Sequence, residues 1–189
     1  GSPYTSSYPK PNDKKTVTFT MPDENVVLST GELVMENGWP KASNEGKISC
    51  SGTGWSYDKN TKTLTLTSGT YDFSSTEPVA CAIEIQWRVE ITGGIFAGEV
   101  TNEGTIKNGS FEKKVTNSNT IMDGVFKGVV ENGGRGTIFG GTFAGSVNNS
   151  YGGHIFGGVF NGHINVPGFG VYPITVDTAS SKAEIKEVN

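Results

Sequence analysis

Five phenylalanines, Phe96, Phe111, Phe126, Phe143 and Phe160, recur at intervals of 15, 15, 17 and 17 residues, and Ile91, Ile106, Ile121, Ile138 and Ile155 keep the same steps. Two more columns run in phase: Val100, Val115, Val130 and Val147, closed by Ile164, and Gly94, Gly109, Gly124, Gly141 and Gly158. An asparagine column, Asn102, Asn117, Asn132 and Asn149, ends at Val166. The unit is I-x-x-G-x-F-x-G-x-V-x-N, and five copies fill residues 91–166. A short fixed period means that one unit cannot bury its apolar side alone and stacks on its neighbours, which is a solenoid.

Spacing within the unit decides which solenoid. Phe and Val lie four residues apart with Gly between them, a period of two that puts all three on one side of a strand. Fifteen to seventeen residues are too few for two helices and their turns but enough for two or three short strands with glycine-rich corners. Composition agrees: Gly, Thr, Ser and Asn fill 80 of 189 positions, and 29 Val and Ile face only four Leu and seven Ala. Such β-branched apolar content suits pleated surfaces. The expected fold is all-β, a short single-stranded parallel β-helix with irregular β caps at both ends. Equivalent residues are expected to stack about 4.8 Å apart in register.

Each column then has a role. The Phe and Ile/Val ladders are expected to fill the interior. The Asn column is expected to close corners, because Asn tolerates left-handed backbone and its amide can bond the Asn one layer above. Gly at the third place after Ile permits a bend. A later column, Gly98, Gly128, Gly145 and Gly162, is broken by Lys113, which places it near a solvent-accessible corner. The two extra residues in each of the last two units, around Gly133-Gly134-Arg135 and Tyr151-Gly152-Gly153, are expected to bulge at one corner.

The flanks are less regular. Gly1-Ser2 reads as a cloning scar and residues 1–12 as a linker, with 13–90 an N-terminal β cap and irregular first coils, and 167–189 a C-terminal cap. Strands are expected at Val17–Thr20 and Val26–Leu28, and at Val171–Val176 and Ala183–Val188. Leu66, Gly69 and Tyr71 are read into the Ile, Gly and Phe places of an imperfect coil, with a further strand around Cys81, Ile83, Ile85 and Trp87. Cys50 and Cys81 could form one disulfide or remain two buried thiols.

Gly-Trp-Ser-Tyr-Asp at 54–58 followed by Thr63-Leu64-Thr65-Leu66-Thr67 resembles an opening found in surface proteins of Gram-positive gut anaerobes. The units around Gly140-Gly141-Thr142-Phe143-Ala144-Gly145-Ser146-Val147 resemble the GGTF.G.V.N repeats of the same adhesin-like proteins, whose solenoids are described as carbohydrate-binding-like. Thr18-Phe19-Thr20-Met21-Pro22 resembles the tail of a surface repeat that often precedes them. The resemblance implies a piece of a larger secreted or cell-wall-attached bacterial protein, extracellular or at the cell surface. It carries no catalytic motif.

The chemistry-bearing residues point the same way. A net charge of −4 with only Arg88 and Arg135 argues against nucleic acid, and no run of about 18 apolar residues suggests insertion into a membrane. Glu99, Glu112, Asp123 and Glu131 fall in four different columns, so no carboxylates stack for a polysaccharide lyase's calcium. Lys114 over Glu99 and Lys127 over Glu112 read instead as stacked ion pairs. His154 and His163 lack metal-like partners, and no cofactor is expected. The column Thr105, Thr120, Thr137 is ended by His154, too short for an ice-binding face.

Exposed aromatic side chains stacking on sugar rings would make a glycan site. Trp39, Trp55, Tyr57 and Trp87 lie outside the regular columns, and Phe139 and Phe156 follow the Ile column, stacked over Met122, where an outward direction is expected. Against this stands the reading that the tryptophans are cap core and that a cap covers the strip. The functional expectation is a non-catalytic module binding a glycan or a host or neighbour surface component. The alternatives are a structural spacer and, least favoured, a polysaccharide-active enzyme.

Overall fold

The structure is a computed structural model that describes residues 28–150 and 152–166. The linker at 1–12, the strand at Val17–Thr20, the C-terminal cap at 167–189 and Tyr151 lie outside the described residues.

Stacked parallel strands form a β-solenoid of about six turns. Each regular turn has three short strands, one per face. Val100–Asn102, Val115–Asn117, Val130–Asn132 and Val147–Asn149 stack on a Val–Asn face. Thr105–Ile106, Thr120–Ile121, Thr137–Ile138 and His154–Ile155 stack on an Ile face. Ser110–Phe111, Val125–Phe126, Thr142–Phe143 and Val159–Phe160 stack on a Phe face. Every pairing aligns equivalent residues, so the 15- and 17-residue steps in sequence become one strand spacing in space.

The core is the sum of the ladders. Consecutive rings from Phe96 to Phe160 lie 4.8 Å apart and within 8° of parallel, the expected strand spacing. Ile91, Ile106, Ile121 and Ile138 and the Val column are buried beside them. Burial of each such side chain stabilises by about 1.5–3 kcal/mol. The bend between the Ile and Phe faces needs glycine: Gly124 has φ 138° and Gly141 φ 120°, backbone that other residues rarely adopt.

The asparagine column differs from expectation in one respect. Asn102, Asn117, Asn132 and Asn149 do stand at the corner, but none has a positive φ; their side chains turn into the core and are buried. Each amide of the first three donates to the next Oδ1, at 2.7, 2.7 and 2.6 Å. Asn102 Oδ1 also accepts from the Gly104 N–H, tying the ladder to the corner. A buried amide is tolerated when its partners are supplied, and among the described residues no buried side-chain polar atom lacks one.

Below the regular turns the chain becomes a cap. In chain order it has β1 (Leu28–Thr30), β2 (Met35–Glu36), β3 (Trp39–Pro40), a 3-10 turn Lys41–Ser43, β4 (Cys50–Gly52), β5 (Trp55–Asp58), β6 (Thr63–Leu66), β7 (Gly69–Phe73), β8 (Ala82–Ile85) and β9 (Val89–Phe96). β4, β5 and β6 pair antiparallel, and β6 then pairs parallel with β8, which continues as the Val–Asn face. β9 runs unbroken through both the Ile and the Phe faces.

Registers correct the sequence reading of the first coil. Leu66 pairs with Ile85, which pairs with Asn102, so Leu66 occupies the Asn place rather than the Ile place. Tyr71 pairs with Ile91 and so takes the Ile place, after which a bulge shifts the register. Val79, bridged to Phe96, takes the Phe place. Cys50 and Cys81 are free and buried. Burial pushes the Cys81 thiol up to about 12 and raises Cys50 as well. Tyr57 also rises to about 12, through burial first and then the negative charge that Cys81, Cys50 and Asp58 would place beside a phenolate.

Candidate functional site

Alternation along each Ile-face strand sends the residue after each Ile outward. Met122, Phe139 and Phe156 therefore form a column, in the register fixed by Ile121, Ile138 and Ile155. They are 46 %, 50 % and 55 % exposed. The Phe139 and Phe156 rings stack at 5.2 Å and 13°, so their edges make an apolar ridge along the solenoid axis. Two residues earlier on the same strands stand Thr120, Thr137 and His154, the last with its ring 6.3 Å from Phe156. Across the glycine bend the exposed Val125 and Val159 add apolar surface. The ridge rests on a sheet whose other side is the buried Ile ladder, so its spacing is fixed by the fold.

The cap aromatics divide. Trp55 and Tyr57 are 3 % and 2 % exposed and belong to the core, so neither presents a ring to a ligand. The Trp55 indole N–H donates to the Gly31 carbonyl at 3.3 Å, and the Tyr57 hydroxyl donates to the Gly46 carbonyl at 3.3 Å. Trp39 is partly buried against that core, edge to face with Tyr57 at 6.0 Å. Trp87, in the turn between β8 and β9, is 62 % exposed, but the Arg88 guanidinium lies 4.0 Å from its ring centre and covers one face. Phe139 and Phe156 are thus brought together, while Trp87 stands apart from them.

The ionic pattern is half as expected. Lys127 Nζ meets Glu112 Oε1 at 2.8 Å. Lys114 stacks over Glu99 in register, but among the described residues the two do not come within ion-pair distance, whereas Lys107 Nζ meets Glu90 Oε2 at 2.8 Å. Among the described residues no group of three or more His, Cys, Asp or Glu could hold a metal ion, and no helix is long and apolar enough to cross a membrane.

One feature was missed from the sequence. Outward residues of β4, β5, β6 and β8, together with Ser49, Thr61, Cys50 and Tyr57, line a hollow of about 430 Å³ that includes Asp58 and Glu84. Alternation within each strand marks Ser51, Ser56, Thr65 and Glu84 as outward beside the inward Cys50, Tyr57, Leu64 and Ile83, but only the strand registers bring the four together.

No family model matches the chain, and neither a curated protein nor a solved structure matches it.

Proposed function

We propose that the chain is a non-catalytic recognition module of a secreted or wall-attached bacterial protein, binding a glycan or another surface component through its Ile face. The observation that carries this reading is the ridge of Met122, Phe139 and Phe156, three contiguous exposed apolar side chains on a rigid parallel sheet. Contiguous exposed apolar side chains support a contact role, because soluble proteins keep such surface small. The threonine column runs beside it, about 7 Å away at roughly 3.3 Å per residue along the strand. A saccharide could lay its C–H surface on the ridge and its hydroxyls against Thr120 and Thr137. Preformed spacing lowers the ordering cost of binding.

A glycan-array screen of the chain, followed by titration of hits, tests this. Specific binding that is lost in Phe139→Ala and Phe156→Ala, with folding intact, supports the reading. A blank across plant, mucin and bacterial glycans, with no binding to intact cell-wall material, sinks it. The alternative is a spacer that projects other domains; the unbroken interior ladders, which make a stiff rod, favour it. A polysaccharide-active enzyme is the third reading, and the scatter of Glu99, Glu112, Asp123 and Glu131 over separate columns speaks against it.

A further inference from the structure

The hollow on the outer side of the cap has no part in the Ile-face reading. Its floor is a cross-strand row in strict register, Ser51 opposite Ser56, Ser56 opposite Thr65, Thr65 opposite Glu84. Asp58, opposite Thr63, belongs to the neighbouring row. No lysine or arginine lines the hollow.

Part of this polar surface is committed. Thr65 Oγ1 donates to Glu84 Oε2 at 3.1 Å, and the Asn60 N–H donates to Asp58 Oδ1 at 2.9 Å. Among the described residues the second oxygen of each carboxylate and the hydroxyls of Ser51 and Ser56 have no protein partner. Their chemistry selects an occupant. Two carboxylates without a cation repel anions and accept hydrogen bonds, so the occupant must donate several. Serine and threonine hydroxyls both donate and accept, which matches a group that also does both. A neutral polyol has that character, and a volume of about 430 Å³ falls within the range of small-ligand sites, about 300–1,000 Å³.

We propose that this hollow is a second binding site, for a neutral sugar unit, with Glu84 and Asp58 accepting hydrogen bonds from ring hydroxyls and Ser51, Ser56 and Thr65 completing the contacts. The proposal rests on the recognition-module reading but places a sugar on a different surface. Asp58 and Glu84 stand two strands apart and one pleat repeat apart along the strand, about 12 Å between Cα atoms at strand spacings of about 4.8 Å and 3.4 Å per residue.

The test is an amide chemical-shift titration of the full chain with the methyl glycosides of glucose, galactose, mannose and N-acetylglucosamine. At least one should shift the amides of Ser51, Ser56, Thr65 and Glu84 saturably, with a Kd on the order of millimolar, as suits a few exposed hydrogen bonds. Glu84→Gln and Thr65→Val should each weaken that binding several-fold while Phe139→Ala leaves it unchanged. Shifts confined to the Ile face and abolished by Phe139→Ala would overturn this site and leave the module reading standing. Absence of shifts with all four sugars would overturn it, as would calcium or ammonium producing the same shifts more strongly, which would make the hollow a cation site. A blank in the glycan array beside a positive titration would fail the Ile-face reading alone.

Discussion

Asn117 Nδ2 donates to Asn132 Oδ1 at 2.7 Å, one turn further along, while Asn117 Oδ1 accepts from Asn102 Nδ2 at 2.7 Å; all three side chains are buried. The asparagines therefore hold each other's polar groups inside an otherwise apolar core. Asn117→Leu should leave a donor on Asn102 and an acceptor on Asn132 without that partner, at about 1–3 kcal/mol for each. Urea unfolding should show a loss of several kcal/mol, whereas Glu103→Gln on the exposed corner should stay within about 0.5 kcal/mol.

The two phenylalanine ladders should respond oppositely. Phe126 is fully buried between rings 4.8 Å above and below, so Phe126→Ala should cost about 3–5 kcal/mol. Phe156→Ala, on the exposed ridge, should change stability by no more than about 0.5 kcal/mol. Equal losses in thermal or urea unfolding would show that the ridge serves the core.

Glycine at the corner before the Val–Asn face is required by close approach. A Cβ on Gly128 would collide with the Lys113 carbonyl of the turn below. Gly128→Ala should destabilise by about 1–3 kcal/mol as the backbones are pushed apart. A neutral outcome in unfolding experiments would mean the turns can separate locally at no cost.

Of the two stacked charge pairs, only one should matter. Glu112→Gln removes the contact with Lys127, worth about 0.2–1 kcal/mol at this exposure, and the loss should shrink in high salt. Glu99→Gln should be neutral at any salt concentration.

Stability should fall in alkali. Cys81 and Tyr57 have folded values of about 12, against ordinary values of 9.0 and 10.0. Between those limits the unfolded chain releases protons that the folded chain keeps, so the unfolded state binds fewer and the slope with pH is negative. The stabilisation is complete below about pH 9 and is lost as pH rises toward about 12. Tyr57→Phe should flatten the part of this decline that begins near 10. The thiol of Cys81 should resist alkylation at neutral pH until the chain is unfolded.

The regular turns were legible in the sequence because in-register stacking demands the same residue type at the same place, and Phe96 to Phe160 or Ile91 to Ile155 display that demand directly. The lower turns were misread because a place can change chemistry while keeping its position. Leu66 and Ile85 fill the Asn column with apolar side chains, so matching residue types shifted the register until strand pairing placed Leu66 beside Ile85. The tryptophans could not be sorted by type either. Trp55 is enclosed by the antiparallel cap and Trp87 is left outside in a turn, a difference set by pairing partners far away in the chain. The hollow escaped notice because Ser51, Ser56, Thr65 and Glu84 are dispersed over 34 sequence positions and meet only through the sheet.

The two-residue expansions at Gly133–Arg135 and around Gly152 both fall at the corner between the Val–Asn and Ile faces, where a Cβ on Gly134 would meet open space. Strand pairing on either side of them is unchanged: Asn132 still faces Asn149 and Ile138 still faces Ile155. Turn length is thus decoupled from ladder geometry at this one vertex. A peptide epitope grafted between Gly133 and Gly134 would be displayed at a known height on the rod, leaving the stacking rhythm beneath it undisturbed.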